Sequence, residues 1–284
     1  YDFYGFDSIT DRTYITVIKT WQVREDLFTK RARFSVRECA SAKRHFYVRN
    51  VPNSAKFIED QDGWCVIDIS NVPAFQAEEK MPSEEISRGY VSFFSQSGLR
   101  LSNLYWGQLS HAIANDLAPI WADPKKLKKQ LSAVISPNDP PETQIRQIYA
   151  RMQKIRNLDY EPAQTQQEAK RQHLKESNSV EDVLKRNYGF GDEIDFVFVA
   201  LLKAAGFEAA PLLVRSRDRG TFDPEYPVLN QLDAWVVWVE AGGKNYFLDP
   251  ATRYCPFGTL PWKKSGTAGI ALTVGASLGL SKNT

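Results

Sequence analysis

The chain has 284 residues, which is enough for two domains that each bury a hydrophobic core. Its 36 basic and 34 acidic residues nearly cancel to a formal net charge of +2, so no excess of charge indicates a nucleic-acid partner. No window approaches the roughly 18 consecutive apolar residues of a membrane-spanning helix, so the sequence predicts no membrane span.

Residues 1 to about 100 alternate between apolar and polar side chains. The runs RTYITVIKTWQV (residues 12–23) and WCVIDIS (residues 64–70) repeat with a period of two, and short turn signals separate such runs. Many short strands with this spacing are typical of two packed antiparallel sheets. The sequence therefore predicts an amino-terminal antiparallel β-sandwich.

A helical segment follows the predicted strands and precedes the clearest boundary in the chain. Apolar residues recur at helical spacing from Trp106 to Leu117, and the proline-rich run ISPNDPP occupies residues 135–141. We therefore expect a β-sandwich domain with a carboxy-terminal helical segment over residues 1–135, and a second domain over residues 136–284.

The second domain opens with an amphipathic helix. Its apolar stripe runs from Ile145 to Met152, and Pro140 or Pro141 is expected at its first turn. The polar run that follows, residues 157–178, is predicted to lie on the surface. A capping box at Ser179 is then expected to start a short helix.

The next segments predict a buried helix and an antiparallel sheet. The run GFGDEIDFVFVALLKAAGFEA (residues 189–209) is apolar on every side after an acidic start, and AAPLLVRSR (residues 209–217) reads as a strand. The run LDAWVVWVEAGGKNYFLDP (residues 232–250) predicts a hairpin that turns at Gly242 and Gly243. Helices followed by an antiparallel sheet predict the α+β class.

This order of helix, strand and hairpin resembles the transglutaminase-like superfamily, which shares its core with papain-type cysteine proteases. The motifs that carry the resemblance are VPAFQAEEKMP (72–82), QIYARMQKIRN (147–157), VEDVLKRNYGFGDEID (180–195) and FLDPATRYCPFGTLPW (247–262). More closely, the chain resembles the bacterial subgroup in which this core follows a β-sandwich domain of unknown function. The resemblance implies a central buried helix packed on an antiparallel sheet.

The resemblance also implies a catalytic triad with fixed positions. A cysteine at the start of the central helix is activated by the helix dipole, a histidine at the start of the next long strand deprotonates it, and an aspartate or asparagine orients the histidine. The corresponding positions in this chain are Gly191, Asp233 and Asp249. The nucleophile and the base are therefore missing, and the sequence predicts no catalytic residue.

Several carboxylates are expected to converge where the triad would lie. Asp192 and Glu193 suit the start of a helix, whose free N–H groups and dipole stabilise them. Asp233 and Asp249 would face each other at a few ångström, so they should share a proton, pair with a cationic side chain or hold a cation. We expect an arginine or lysine partner rather than a metal, since hard-metal sites need more oxygen ligands. The candidate cleft residues are Asp192, Glu193, Asp233, Asp249, Arg215 and Arg217.

Cysteine and histidine residues offer no replacement triad and no metal-ligand spacing. Cys255 follows Asp249 closely in sequence but is expected to pack as a small apolar residue. His173 lies in the polar run and is expected on the surface. The full set is Cys39, Cys65, Cys255, His45, His111 and His173. No cofactor is implied.

These observations favour a non-catalytic, transglutaminase-like protein whose cleft binds or scaffolds a peptide, a protein or a glycan. The aromatic residues Trp235, Trp238 and Trp262 are candidates for binding if any of them faces outward. The alternative is a hydrolase of peptide or glycan bonds that uses the carboxylates as acid and base. In a third possibility the sandwich is the working part and the second domain supports it.

Localisation follows from the resemblance alone. Proteins of the resembled subgroup usually carry a leader and reside in the bacterial periplasm or cell envelope, and we expect the same here. The chain begins at Tyr1 without a leader-like segment, so we expect a trimmed product.

Overall fold

The computed structural model describes most of the chain. The described residues are 15–37, 44–52, 55–59, 64–79, 81, 83–96, 102–118, 124–162, 179–272 and 281–282. Cys39, His173 and most of the predicted surface run at 157–178 lie outside the described residues. None of the described helices is long and apolar enough to cross a membrane.

The chain divides into two compact units. Unit 1 comprises Tyr1–Leu109 and Ser216–Gln231, and unit 2 comprises Ser110–Arg215 and Leu232–Thr284. Residues 110–135, which the sequence assigns to the first domain, are grouped with unit 2. The boundary at residue 135 stays a prediction, because compactness and domain identity are different criteria.

Unit 1 contains two three-stranded antiparallel sheets. The strands are β1 (Ile15–Gln22), β2 (Thr29–Arg37), β3 (Arg44–Arg49), β4 (Lys56–Glu59), β5 (Trp64–Val72) and β6 (Tyr90–Gln96). Their orders are β1-β6-β3 and β2-β5-β4. A short helix, α1 (Glu84–Arg88), precedes β6. The period-two pattern of the sequence is therefore realised as strands.

The two sheets of unit 1 share one hydrophobic cluster. Ile67 and Ile69 on β5 are buried together with Val91 on β6, whereas Asp68 between the two isoleucines accepts a hydrogen bond from Arg31 Nε at 3.0 Å. Shared burial of this kind is expected for a sandwich, because each sheet must cover one apolar face. Cys65 on β5 is disulfide-bonded.

The segment Ser216–Gln231 adds an aromatic cluster to unit 1. Tyr226 stacks on Tyr47 with the ring centroids 4.3 Å apart, and both pack near Tyr90. The Tyr226 hydroxyl lies 2.6 Å from Ser92 Oγ, which is buried. Sequence analysis predicts no such role for this segment, which it treats as the connection between two strands.

Unit 2 contains helices and a five-stranded antiparallel sheet. The helices are α2 (Ser102–Leu117), inside which the unit boundary falls, α3 (Pro124–Ser132), α4 (Pro141–Met152), α5 (Val180–Arg186) and α6 (Gly191–Ala204). The five-stranded sheet has the order β11 (Lys244–Leu248), β10 (Ala234–Ala241), β9 (Glu208–Val214), β12 (Ala268–Ala271) and β13 (Ser281–Lys282). The pairings of this sheet are antiparallel.

Helix α6 is the centre of unit 2. Val197, Phe198 and Leu202 are completely buried, and the helix packs on α3, α4, α5, β9 and β10. Its all-round apolar surface is what a helix with neighbours on every side requires. The α+β class and the buried central helix on an antiparallel sheet are therefore confirmed.

One glycine in the sheet is required by close backbone approach. A Cβ at Gly269 on β12 would overlap the carbonyl oxygen of Leu213 and the Cα of Val214 on the neighbouring strand β9. Because both obstacles are backbone atoms, a side chain there would separate the two strands.

Candidate functional site

The amino terminus of helix α6 contains Gly191, the position at which the resemblance implies a nucleophile. The helix begins at Gly191, and Phe190 N donates to Glu193 Oε2 at 2.8 Å. Glu193 N in turn donates to Asp192 Oδ1 at 2.9 Å. These bonds satisfy amide groups that would otherwise lack intrahelical partners, which explains the acidic start of the helix.

The space in front of Gly191 is filled by a carboxylate from another segment. Gly191 N donates to Asp159 Oδ2 at 2.8 Å, and a Cβ on Gly191 would lie 2.7 Å from that same oxygen. Asp159 is held by a bond from its own N–H to Asn157 Oδ1, and Asn157 Nδ2 donates to the carbonyl of Ala251 at 2.9 Å. A side chain at position 191 would therefore meet the carboxylate of Asp159.

Asp159 belongs to a small structure that fastens this end of the helix. The strand β7 (Arg156–Asn157) pairs in parallel with β8 (Tyr188–Gly189), and a 3-10 helix over Leu158–Tyr160 follows β7. The pairing brings Asp159 to the start of α6. Sequence analysis missed Asp159 because this contact spans residues 159 and 191.

Asp249 lies at the carboxy-terminal end of β11, as expected, and it is 0% exposed. Its Oδ2 accepts from Lys264 Nζ at 2.9 Å and from Thr252 Oγ1 at 2.7 Å, while Oδ1 accepts from Thr252 N at 3.0 Å. The cationic partner of Asp249 is therefore a lysine, and it comes from a loop that sequence analysis did not consider.

A second buried carboxylate, Asp195, lies beside this pair. It is 1% exposed on α6, one turn after Gly191, and burial together with the charge of Asp249 raises its pKa well above the ordinary value. Lys264 and a backbone hydrogen bond with Ala251 act in the opposite direction. Among the described residues, Asp195 Oδ1 has no hydrogen-bond partner.

Lys264 is bonded to Asp249, and the charge of Asp195 also favours its cationic form. Burial acts to lower its pKa, but Asp195 and Asp249 outweigh burial, so the pKa of Lys264 stands above its ordinary value. The sequence signal for Asp195 was available: it is a single acidic residue inside the apolar run of α6.

The register of the sheet separates Asp233 from Asp249. Val237 on β10 pairs with Leu248 on β11, so Asp249 continues opposite Val236, three residues along from Asp233. At about 3.3 Å per residue that is roughly 10 Å along the strand. Asp233 N donates to the carbonyl of Val214 at 3.0 Å. The charge of Asp249 contributes to the raised pKa of Asp195. That the carboxylates of Asp233 and Asp249 face each other stays a prediction.

The two candidate arginines belong to different units. Arg215 is buried at the end of β9 in unit 2, where its N–H donates to the carbonyl of Ala268 at 3.1 Å. Arg217 is exposed and lies in the part of unit 1 that begins at Ser216. Lys264, rather than either arginine, pairs with Asp249.

The electrostatics at the start of α6 oppose a reactive thiolate. Burial raises the pKa of Glu193 to about 7, with Asp192 and Asp159 adding to the effect, and burial also raises the pKa of Asp192. Three acidic groups therefore crowd this end of the helix. A thiolate needs positive surroundings, so the field here is unfavourable for one.

The remaining sulfur and imidazole groups do not form a reactive pair among the described residues. Cys255 is a free, buried thiol whose pKa is raised chiefly by burial, and its Sγ lies 3.4 Å from the carbonyl of Thr259. His111 on α2 is exposed. It is the only histidine among the described residues of unit 2. No group of three or more metal-ligating side chains occurs among the described residues.

Comparisons with known proteins give a fold. No protein-family model matches the chain, and none of the curated proteins matches it. The crystal structure of a "putative protease" from Parabacteroides distasonis is similar with a TM-score of 0.50 at 15% identity, over 82% of this chain and 43% of that one. The chain has a protease-like fold. It spans less than half the length of that protein, and the low identity restricts the likeness to the fold.

A second solved structure, a "putative cysteine protease" from Cytophaga hutchinsonii, matches with a TM-score of 0.34 at 13% identity. The match covers 82% of this chain and 73% of that one.

Proposed function

We propose that this protein is a non-catalytic, transglutaminase-like protein that serves as a binding or scaffolding module of the bacterial cell envelope. The observation that carries the proposal is the contact at Gly191. The carboxylate of Asp159 lies where a nucleophilic side chain at position 191 would project. The same carboxylate accepts the hydrogen bond of the Gly191 amide, which would otherwise stabilise a nucleophile.

The state of the third triad position supports the same conclusion. Asp249 is completely buried, and its oxygens are engaged by Lys264 and Thr252. An aspartate that orients a catalytic histidine must keep an oxygen available for the imidazole N–H. In this protein the corresponding oxygens bond a lysine and a threonine instead, so the residue holds loops together.

The disulfide of Cys65 supports the proposed localisation in the bacterial cell envelope. Disulfides persist in oxidising compartments such as the bacterial periplasm and are rare in the reducing cytosol. Cys255 remains a free thiol.

Turnover measurements test the proposal. The protein is incubated with fluorogenic peptides, with an amine-incorporation substrate for transglutaminases and with nitrophenyl glycosides. We expect no turnover above the buffer rate. The Cys255→Ser and Glu193→Gln variants are measured alongside, the first to remove the free thiol and the second to remove the carboxyl whose pKa is about 7.

The variants assign any activity that appears. Turnover that Cys255→Ser abolishes would show thiol chemistry, and turnover that Glu193→Gln abolishes would show the carboxylate hydrolase. Either result would overturn the non-catalytic proposal.

A further inference from the structure

Unit 2 exposes large aromatic side chains in one region. In the described part of unit 2, the exposed large hydrophobic side chains are Tyr160 at 47%, Phe190 at 44%, Tyr254 at 86% and Trp262 at 62%. These four residues are here called the aromatic surface. The other two candidate tryptophans of this unit behave differently, because Trp235 is buried and Trp238 is only partly exposed.

The aromatic surface is built from three segments that meet at the start of α6. Asp159, next to Tyr160, accepts from the amide of Gly191, next to Phe190. The Tyr160 hydroxyl accepts from Arg253 N at 3.1 Å, and the Arg253 guanidinium lies 4.8 Å from the centre of the Tyr160 ring. These contacts connect the three segments that carry Tyr160, Phe190 and Tyr254.

Trp262 is connected to the same region through Lys264. Lys264 Nζ is bonded to Asp249 Oδ2 at 2.9 Å, and Thr252, next to Arg253, donates to the same carboxylate. The two ends of the loop from Asp249 to Lys264 are therefore in contact. Tyr254 and Trp262 are both carried on this loop.

The backbone at Tyr254 is strained, and its side chain is exposed. Its φ is +61°, in the left-handed region that bulky side chains rarely adopt. Strain of this kind persists where the surrounding structure enforces it, and it concentrates at binding and active sites. A glycine would fit this turn without strain, yet the chain carries a tyrosine that is almost completely exposed.

The backbone around the aromatic surface is already hydrogen-bonded within the chain. The N–H groups of Phe190, Gly191, Thr252 and Arg253 donate to Glu193, Asp159, Asp249 and Tyr160 respectively. An extended peptide binds largely through main-chain hydrogen bonds to an open strand edge. This region is made of turns, a 3-10 helix and a helix end, so it offers ring faces and carboxylates instead.

Ring faces and carboxylate acceptors together match the chemistry of a sugar chain. A pyranose ring has an apolar C–H face that can lie on an aromatic ring, while its hydroxyl groups at the edge donate hydrogen bonds. Asp159 is exposed, and Asp192 and Glu193 are partly exposed, so acceptors flank the rings. Their acidity disfavours an anionic ligand.

We propose that the aromatic surface binds a linear, uncharged glycan whose flat sugar faces stack on Tyr254 and Trp262. The inference rests on the proposed function, since it names the ligand class of the same non-catalytic site. Tyr160, steadied by Arg253, extends the stacking platform toward the start of α6.

Calorimetric titration tests the inference on the full chain. The probes are the β-1,4-linked hexamers of glucose and of N-acetylglucosamine. We expect at least one of them to bind, and we expect Trp262→Ala and Tyr254→Gly each to weaken binding by about tenfold, since aromatic residues dominate such contacts. Phe57→Ala is the matched control, because Phe57 is 57% exposed in unit 1, and it should leave binding unchanged.

A thermal melt separates binding from structure. If Tyr254 serves the ligand, Tyr254→Gly should raise the Tm while it weakens binding, because glycine relieves the positive φ. A tyrosine retained for structural reasons would instead lower the Tm when replaced.

Each other outcome overturns the inference. Failure of both hexasaccharides to bind rejects the glycan, and unchanged binding by both variants rejects the surface. Binding of a proline-rich peptide in place of the sugars, with loss in both variants, rejects the ligand class and leaves the proposed function intact. Hydrolysis of a bound hexasaccharide would contradict the proposed function itself.

Discussion

Lys264→Met is expected to lower the free energy of unfolding of unit 2 by about 3 kcal/mol. The substitution keeps the aliphatic length of the side chain and removes its charge. Asp249, which is 0% exposed, would then be buried without its cation. The bonds from Thr252 remain, but they do not neutralise a carboxylate, and Asp195 lies nearby.

Native-state hydrogen exchange of the α6 amides is the suitable measurement. It reports the opening free energy of unit 2 and does not require the two units to unfold together. The matched control is the double variant Lys264→Met, Asp249→Asn, in which no buried charge is left unpaired. We expect the double variant to recover most of the loss, and the single variant Asp249→Asn completes the cycle that gives the coupling energy of the pair.

An unchanged exchange rate in Lys264→Met would contradict the account given above of Asp249. It would mean that the carboxyl is protonated in the folded protein or finds another cation at no cost. A loss of equal size in the double variant would instead show that the unpaired charge of Asp249 is not the cause of the instability.

Local features of the sequence predicted much of unit 2 correctly. Helix α4 begins at Pro141, and Ser179 Oγ accepts from Asp182 N at 3.3 Å at the start of α5. The hairpin turns at Gly242 and Gly243, which both have positive φ. Each feature is decided by residues within a few positions of one another, so a single sequence is enough to specify it.

Contacts between distant segments could not be predicted in this way. Asp159 reaches Gly191, and Lys264 pairs with Asp249, yet no spacing rule links residues 32 or 15 positions apart in loops. Periodicity shows which face of an element is buried, but it does not choose the partner. The segment Ser216–Gln231 joins unit 1 for the same reason: aromatic packing with Tyr47 decides its place.

The distinction explains how the candidate site changed. The positions Gly191 and Asp249 were found because they lie at ends of regular elements, where counting along the chain works. Their actual neighbours, Asp159, Asp195 and Lys264, come from a 3-10 helix, a helix interior and a loop. Around Asp249 the structure places a buried carboxylate, Asp195, and a lysine, Lys264.

The free energy of unfolding of the native protein is expected to fall as pH rises, and Asp195→Asn is expected to remove this fall. The pKa of Asp195 is raised well above its ordinary value of 3.8, chiefly by burial, with Asp249 second. The folded state therefore binds this proton more tightly than the unfolded chain does. Stability falls from about pH 4 upward until the folded-state pKa is passed, by up to about 1.4 kcal/mol per pH unit.

The asparagine variant mimics the neutral acid at every pH, so its advantage over the native protein should grow from pH 5 to pH 8. Urea unfolding at several pH values measures this difference. Glu193→Gln is the matched control: the pKa of Glu193 is raised from 4.5 to about 7, so its contribution has the same sign within that window. We expect a smaller gain from it, because Glu193 is partly exposed whereas Asp195 is not.

The charges that surround Asp195 make the opposite result informative. Asp249 and Asp192 favour the protonated acid, whereas Lys264 favours the carboxylate. If Lys264 governed the site, Asp195 would be ionised in the folded state, and Asp195→Asn would lose stability that does not decline with pH. A variant less stable than the native protein at pH 8 would therefore show that one lysine serves two carboxylates, and that the cluster carries a net negative charge in its buried centre.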